Sequence, residues 1–83
     1  MNALTRQFRY ILAAAREGSI TAAAEAESIS ASSVLSAIEK FESQYQTQIF
    51  VRRRSKGLRV TVTGERVIAQ IRHLLDEIDA FDS

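Results

Sequence analysis

The chemistry most visible in this sequence is positive charge gathered in one short segment. Residues 51–60, VRRRSKGLRV, carry five basic side chains and no acidic one, and residues 48–66 sum to +5. The flanking residues 1–47 and 67–83 sum to −1 and −3, so the whole chain is only +1. A local basic patch is the electrostatic footprint of a polyanionic partner, and the arginine guanidinium matches phosphate oxygens bidentately.

A second polar cluster consists of closely spaced serines in the stretch SISASSVLS. Serine hydroxyls hydrogen-bond to several base edges and to phosphates, and a leucine side chain could contact a thymine methyl group. For Ser33 and Ser36 we favour DNA contact over a merely solvated helix surface. For Leu35, a DNA contact and a peripheral core position fit the pattern equally well.

Catalytic, metal and cofactor sites are not indicated. His73 is the only histidine, and the chain has no cysteine, which excludes disulfides and thiolate metal sites. The three glycines, Gly18, Gly57 and Gly64, do not form a phosphate-binding loop. No nucleophile, base and orienting group come together, so we predict a protein that is not an enzyme and binds no cofactor or metal.

Length and composition restrict the class of protein. At 83 residues, with 46% hydrophobic and 25% charged side chains, the chain is an ordinary small globular domain. No apolar run approaches the ~18 residues that span a bilayer, and the N-terminus MNALTRQFRY lacks the apolar centre of a signal peptide. We therefore expect a cytoplasmic protein with no membrane partner.

Three helices should precede the basic segment. The first fifteen residues carry an apolar stripe with helical spacing, and Gly18 ends that helix. Ser19 or Thr21 can cap a short second helix, ITAAAEAE. Ser30 can cap a third helix, whose apolar stripe runs from Val34 to Tyr45.

The period then changes to that of strands. The runs IFVRR and LRVTV are β-branched and aromatic, and RSKG separates them. Gly57 can take the left-handed conformation that a hairpin turn needs. The sequence therefore predicts a two-stranded β-hairpin with a basic tip.

A long last helix, capped by Thr61, should carry two apolar rows. One row has the 4-3-4-3 spacing of a coiled-coil seam and consists of Val67, Ile71, Leu74, Ile78 and Phe81. Ile68 and Leu75 form the second row. Two rows exceed what one small domain can cover, so we expect the second row to pack on the core and the seam to form a homodimer.

Helix, helix, turn, helix, hairpin and long helix is the layout of a winged helix-turn-helix. The predicted fold class is therefore mainly α, with a three-helix core and a two-stranded β-hairpin wing. Residues 1–61 would form the DNA-binding domain and residues 62–83 a linker or dimerisation helix.

Two segments, GSITAAAEAESISASSVLSAIEKFE and IFVRRRSKGLRVTVTGE, closely resemble the N-terminal DNA-binding domain of LysR-type transcriptional regulators. The resemblance covers residues 4–75 and is most specific at the GSIT turn, Phe41-Glu42, Ile49-Phe50 with Arg52, and Thr61 with Gly64-Glu65. It implies a bacterial, nucleoid-associated transcription factor that binds double-stranded DNA as a dimer. It also implies a small-molecule effector bound only by a C-terminal domain absent from this sequence, with residues 62–83 truncated before that domain.

The layout and the resemblance together place the third helix in the DNA major groove and the wing on the backbone or minor groove. The predicted recognition-helix contacts are Ala31, Ser32, Ser33, Leu35, Ser36 and Lys40. The predicted wing contacts are Arg52, Arg53, Arg54 and Lys56, although Arg52 could instead brace the hairpin. The helix-turn-helix residues are Ser19, Thr21 and Ser30.

The sequence departs from the family pattern at several positions. Glu27 stands where a leucine is usual, on the apolar stripe of the second helix. Gln46 replaces a glycine after the third helix, where a left-handed backbone would be strained. Ala31-Ser32 replaces a frequent Gln-Pro, and Leu35 replaces a serine.

A helical interaction module is the alternative function. The last helix would then pair with a partner, and the basic strip would hold an acidic protein, with weak or no DNA binding. A salt-titrated gel shift separates the two functions. A membrane-surface protein is disfavoured, because such proteins carry basic residues on an amphipathic helix rather than on a hairpin.

Overall fold

The computed structural model describes residues 2–82, which fold into helices and one two-stranded sheet. In chain order the elements are α1 (Ala3–Glu17), α2 (Ile20–Glu27), α3 (Ala31–Gln44), β1 (Phe50–Arg53), β2 (Gly57–Val60) and α4 (Val62–Asp82). The predicted winged helix-turn-helix is confirmed: α2 and α3 form the helix-turn-helix, and the β1–β2 hairpin is the wing. No helix within these described residues is long and apolar enough to cross a membrane.

Short polar side chains determine where the first three helices begin. The side chains of Asn2, Ser19 and Ser30 each accept a hydrogen bond from the backbone N–H three residues on, at 2.8, 3.1 and 3.2 Å. Each bond satisfies a donor that a helix start leaves unpaired. Ser19, and not Thr21, is therefore the cap of α2. Gly18 ends α1 in the left-handed conformation, at φ 70°.

The core lies around α1, which contacts α2, α3, α4 and β2. Small side chains on α2, Ala23 and Ala24, allow a close approach to α1. The buried cluster draws on all four helices and the start of the wing: Phe8, Ile11, Ala13, Ala14, Ala23, Ala24, Val34, Ile38, Phe41, Ile49, Phe50, Ile68, Ile71 and Leu75. Since α4 contributes to this cluster, the division at residue 61 stays a prediction.

The wing is a short antiparallel hairpin whose strands are displaced slightly from the predicted runs. Phe50 pairs with Val60, and Arg53 pairs with Gly57. Gly57 has the expected positive φ, 74°, and Ser55 at the tip is also left-handed, at 64°. The Ser55 conformation was not anticipated, because serine carries no strong left-handed preference.

The long helix α4 begins as predicted, with the Thr61 hydroxyl accepting from the Gly64 N–H at 2.8 Å. Its apolar rows divide differently from the prediction. Ile71, assigned to the dimer seam, is only 2% exposed and packs inside the core of its own chain. Because a helix turns 100° per residue, Ile68, Ile71 and Leu75 lie on one face of α4. This face packs into the core, where α4 contacts α1. The exposed large apolar side chains of α4 are Val62 at its start, 85% exposed, and farther along Leu74, 48% exposed, and Phe81, 89% exposed.

Two departures from the family pattern have local compensations. Gln46 is left-handed, at φ 50°, and its side-chain amide donates to the Ser43 carbonyl at 2.7 Å. Glu27 is only partly exposed at the end of α2, and its carboxylate lies 3.8 Å from the Arg16 guanidinium. This contact with Arg16 was not predicted, because it depends on how α1 and α2 pack.

Candidate nucleic-acid interface

The N-terminal turn of α3 presents a cluster of exposed hydroxyl groups. The Ser30 hydroxyl lies 3.1 Å from that of Ser32 and 2.9 Å from that of Ser33. In the unbound chain these groups satisfy one another, and each can rotate toward an external donor or acceptor. Ala31, in the same turn, is exposed as well.

The helix α3 has two different flanks. Ser32, Ser33, Ser36 and Lys40 line a groove shared with α1. Leu35 lies on the other flank, half-buried in a groove toward the wing. The structure therefore brings the predicted serines and Lys40 together and places Leu35 apart from them.

The surroundings of Leu35 are mixed in character. Its groove is lined by apolar Ile20, Ile38 and Leu58, and also by charged Glu39 and Arg52. The apolar neighbours remove part of the Leu35 side chain from solvent, and the rest of it stays accessible. Both interpretations of Leu35, as a peripheral core residue and as a DNA contact, stay predictions.

All four basic residues predicted on the wing are exposed, but they face different ways. Arg52 pairs with Leu58, on the face that turns toward Ser19 and Thr21 at the start of α2. Neighbouring residues of a strand point to opposite faces, and Arg53 lines a surface with Arg59 on the outer face. Arg53 also borders the groove that Arg52 lines at the start of α2. Arg54 and Lys56 lie in the turn. The wing can therefore present cations on both faces and at its tip.

Backbone contacts fix the wing relative to the helix-turn-helix. The Leu58 N–H donates to the Gly18 carbonyl at 2.9 Å, at the α1–α2 turn. On the other strand, Glu42 of α3 accepts from the Ile49 and Phe50 N–H groups at 2.7 and 3.3 Å. The arginines thus extend from a hairpin that is hydrogen-bonded both to the α1–α2 turn and to α3.

Residues of α1 also line the surface beside α3, and sequence reasoning missed them. Arg6, Gln7 and Tyr10 form the opposite wall of the serine and lysine groove. The only indication in the sequence that these side chains lie at the surface was their position outside the apolar stripe of α1. The crossing of α1 over α3, which brings them to the interface, is a tertiary feature.

The chemistry available here is polar and electrostatic. Within residues 2–82, no three histidine, cysteine, aspartate or glutamate side chains are grouped so as to hold a metal ion. What the surface offers is hydroxyl groups, guanidinium and ammonium groups, and a tyrosine, which suit an anionic and hydrogen-bonding partner.

Comparison with known proteins gives a family match and several similar structures. The family model described as "Bacterial regulatory helix-turn-helix protein, lysR family" matches residues 5–65. No curated protein matches the chain. The DNA-binding domain of CbnR, solved as a complex with DNA, has a TM-score of 0.89 at 22% identity, over 99% of this chain and 91% of that one. At this identity the likeness concerns the fold.

Two further structures have higher sequence identity. The "BenM_DBD/catB site 1 DNA Complex" has a TM-score of 0.86 at 26% identity, over 98% of this chain and 88% of that one. Full-length OxyR C199D from Pseudomonas aeruginosa has a TM-score of 0.86 at 29% identity, over 99% of this chain. This chain spans 27% of that protein's length.

Proposed function

The chain belongs to the lysR family of bacterial regulatory helix-turn-helix proteins, and on that premise we propose that it binds double-stranded DNA sequence-specifically as a dimer. The helix α3 enters the major groove, and the wing contacts the backbone or the adjacent minor groove. The family is one of transcription regulators rather than enzymes, and the proposed role requires no catalysis.

The observation that carries this proposal is the exposed polar face of α3 beside a basic hairpin. Ser32, Ser33 and Lys40 are exposed on a helix whose opposite side is buried in the core. A helix anchored in this way can place one face against base edges. The likeness to two domains solved in complexes with DNA supports binding to DNA.

Dimerisation is proposed from the exposed apolar part of α4. Phe81 is 89% exposed and Leu74 is 48% exposed, while Ile78 and Val67 are half-buried. Isologous pairing of two α4 helices would cover these side chains. Each dimer would then carry two recognition helices and two wings, as a site with two half-sites requires.

We propose the place of effector binding and the cellular location of the protein from the same family membership. The chain corresponds to 27% of full-length OxyR, so we place any small-molecule effector on a region outside these residues. A bacterial transcription regulator must reach chromosomal DNA. We therefore place the protein in the bacterial cytoplasm and, when bound, on the nucleoid.

The experiment is selection of bound duplexes from a random DNA pool, followed by a salt titration on the enriched duplex. We expect an enriched sequence with two related half-sites, bound at least ~10³-fold more tightly than random DNA. Absence of any enriched sequence, together with binding to acidic proteins, would instead support a protein-interaction module.

A further inference from the structure

A groove of about 680 Å³ lies between α1 and α3. Its polar lining includes Arg6, Tyr10 and Lys40 together with three serines of α3. No acidic side chain lines it, whereas Glu39 and Glu42 line the groove on the wing side of α3. The α1 groove is therefore the more favourable of the two for an anion.

Hydrogen bonds hold the two walls of this groove in place. The Gln7 side-chain amide of α1 donates to the Ala37 carbonyl of α3 at 3.2 Å. At the start of α1, Asn2 accepts from both the backbone N–H and the hydroxyl of Thr5, at 2.8 and 2.9 Å, and Thr5 itself is buried. The position of Arg6, between Thr5 and Gln7, is thus fixed by neighbours on both sides.

We propose that Arg6 and Tyr10 of α1, together with Lys40 of α3, form a DNA phosphate-binding site. This inference rests on the proposed placement of α3 in the major groove. A helix in that groove, ~12 Å wide, runs between two phosphate backbones. The wing lies toward one flank of α3 and the α1 groove toward the other, so the two sites take phosphates of opposite strands.

Each residue has a distinct part in this site. Arg6 and Lys40 supply charge that neutralises phosphate, and the Tyr10 hydroxyl donates a hydrogen bond without charge. Contacts to phosphate position a protein on the duplex and carry no direct sequence information. The site therefore sets the depth and register of α3 and leaves base discrimination to the serines.

The test compares Arg6→Ala and Tyr10→Phe with the wild type on the enriched duplex and on random duplex. For a dimer, Arg6→Ala should flatten the slope of log affinity against log salt by ~1.8, at ~0.9 per phosphate contact. Tyr10→Phe should weaken binding about threefold to tenfold per subunit without changing the slope. Both variants should weaken the two duplexes equally. Arg72→Ala, an exposed arginine of α4 outside the groove, is the matched charge control and should leave the slope within a few tenths of the wild type.

A second measurement locates the contact on the DNA. Single phosphates of the enriched duplex are replaced by neutral methylphosphonates, and affinity is measured for each. Neutralising one particular phosphate per half-site should lower the affinity of the wild type but not that of Arg6→Ala. This phosphate should lie on the strand opposite to the one that the wing contacts. Arg6→Gln, with melting temperatures for all variants, separates loss of contact from loss of fold.

The outcomes distinguish the inference from the function on which it rests. If the wild type binds DNA but Arg6→Ala matches Arg72→Ala in slope and keeps the full phosphate sensitivity, the α1 site is overturned and the proposed function stands. If the wild type binds no duplex, both are overturned.

Discussion

Gly57 and Gly18 meet where the wing rests on the α1–α2 turn. The Gly18 carbonyl accepts from the Leu58 N–H at 2.9 Å, and a Cβ at Gly57 would overlap that same carbonyl oxygen. Only a residue without a side chain lets the two backbones come this close. The glycine in the basic segment thus serves two purposes, because it both turns the hairpin and brings it against the helix-turn-helix.

We expect Gly57→Ala to displace the wing and destabilise the fold. The substitution adds left-handed strain and disrupts the Leu58 hydrogen bond, which together cost roughly 1–3 kcal/mol. Denaturant unfolding measures this loss, and hydrogen exchange at the Leu58 amide reports the displacement. Ser55→Gly is the control, since Ser55 is also left-handed but lies exposed at the tip. The free energy of unfolding of this variant should differ from that of the wild type by less than about 1 kcal/mol. Equal stability of Gly57→Ala and the wild type would contradict the close-approach argument.

The basic tip of the wing should contribute affinity without specificity. Arg54→Ala combined with Lys56→Ala should weaken binding to enriched and random duplexes alike. If all four side chains of a dimer touch phosphate, the salt slope should flatten by up to ~3.6. Both side chains are exposed in the turn, so the melting temperature should be unchanged. An unchanged slope would mean that the wing tip does not contact DNA.

The serines of α3 should differ in their effects. Ser33→Ala and Ser36→Ala should weaken binding to the enriched duplex more than to random DNA, at or below the ~1–3 kcal/mol of a single mismatch. Ser30→Ala should instead lower the free energy of unfolding by ~1 kcal/mol, because Ser30 caps the helix. Equal weakening on both duplexes would limit Ser33 and Ser36 to positioning the helix on phosphates.

Glu27→Leu should raise the melting temperature despite the Arg16 contact. An ion pair 3.8 Å long, with Arg16 more than half exposed, contributes ~0–1 kcal/mol. A leucine on the apolar stripe of α2 gains more than that from additional burial, at ~25 cal/mol per Å². Glu27→Gln removes the charge alone and should lower the melting temperature slightly or not at all. A clear fall for both variants would show that the pair with Arg16 outweighs burial.

Substitutions on α4 can test dimerisation separately from the stability of the fold. Leu74→Asp and Phe81→Asp place charge on exposed apolar positions, so light scattering at tens of micromolar should show a folded monomer in place of a dimer. Ile71→Asp buries an unpaired carboxylate in the core and should unfold the chain. A wild type that is monomeric at these concentrations would contradict dimerisation through α4.

Local signals in the sequence predicted much of the architecture. Ser30 caps α3 and Thr61 caps α4, as their positions before helical patterns indicated. Gly57 marked the hairpin turn for the same reason, since few residues tolerate its backbone conformation. Such features depend only on near neighbours in the chain.

Features that depend on how the helices cross were beyond prediction. The 4-3-4-3 spacing assigned Ile71 to a partner, but a stripe on one helix does not say which neighbour covers it. The proposed phosphate contacts of Arg6 and Tyr10 were not predicted from the sequence, because these residues come to lie beside α3 only through the packing of α1 on α3. The site residues predicted on the wing and recognition helix remain predictions until binding is measured.

The helix α4 is packed into the core as far as Leu75, and its last turns are mostly exposed, with Asp79 3.4 Å from Arg9 of α1. Anchored through Leu75 and continuing to Asp82, the helix behaves as a lever arm attached rigidly to the DNA-reading body. In the proposed dimer, the angle between two such arms sets the distance between the recognition helices. A tilt of ~10° along a helix of ~30 Å moves its far end by ~5 Å, more than one base-pair step. Substitutions where the two arms cross would therefore retune the preferred half-site spacing without touching any residue that reads a base.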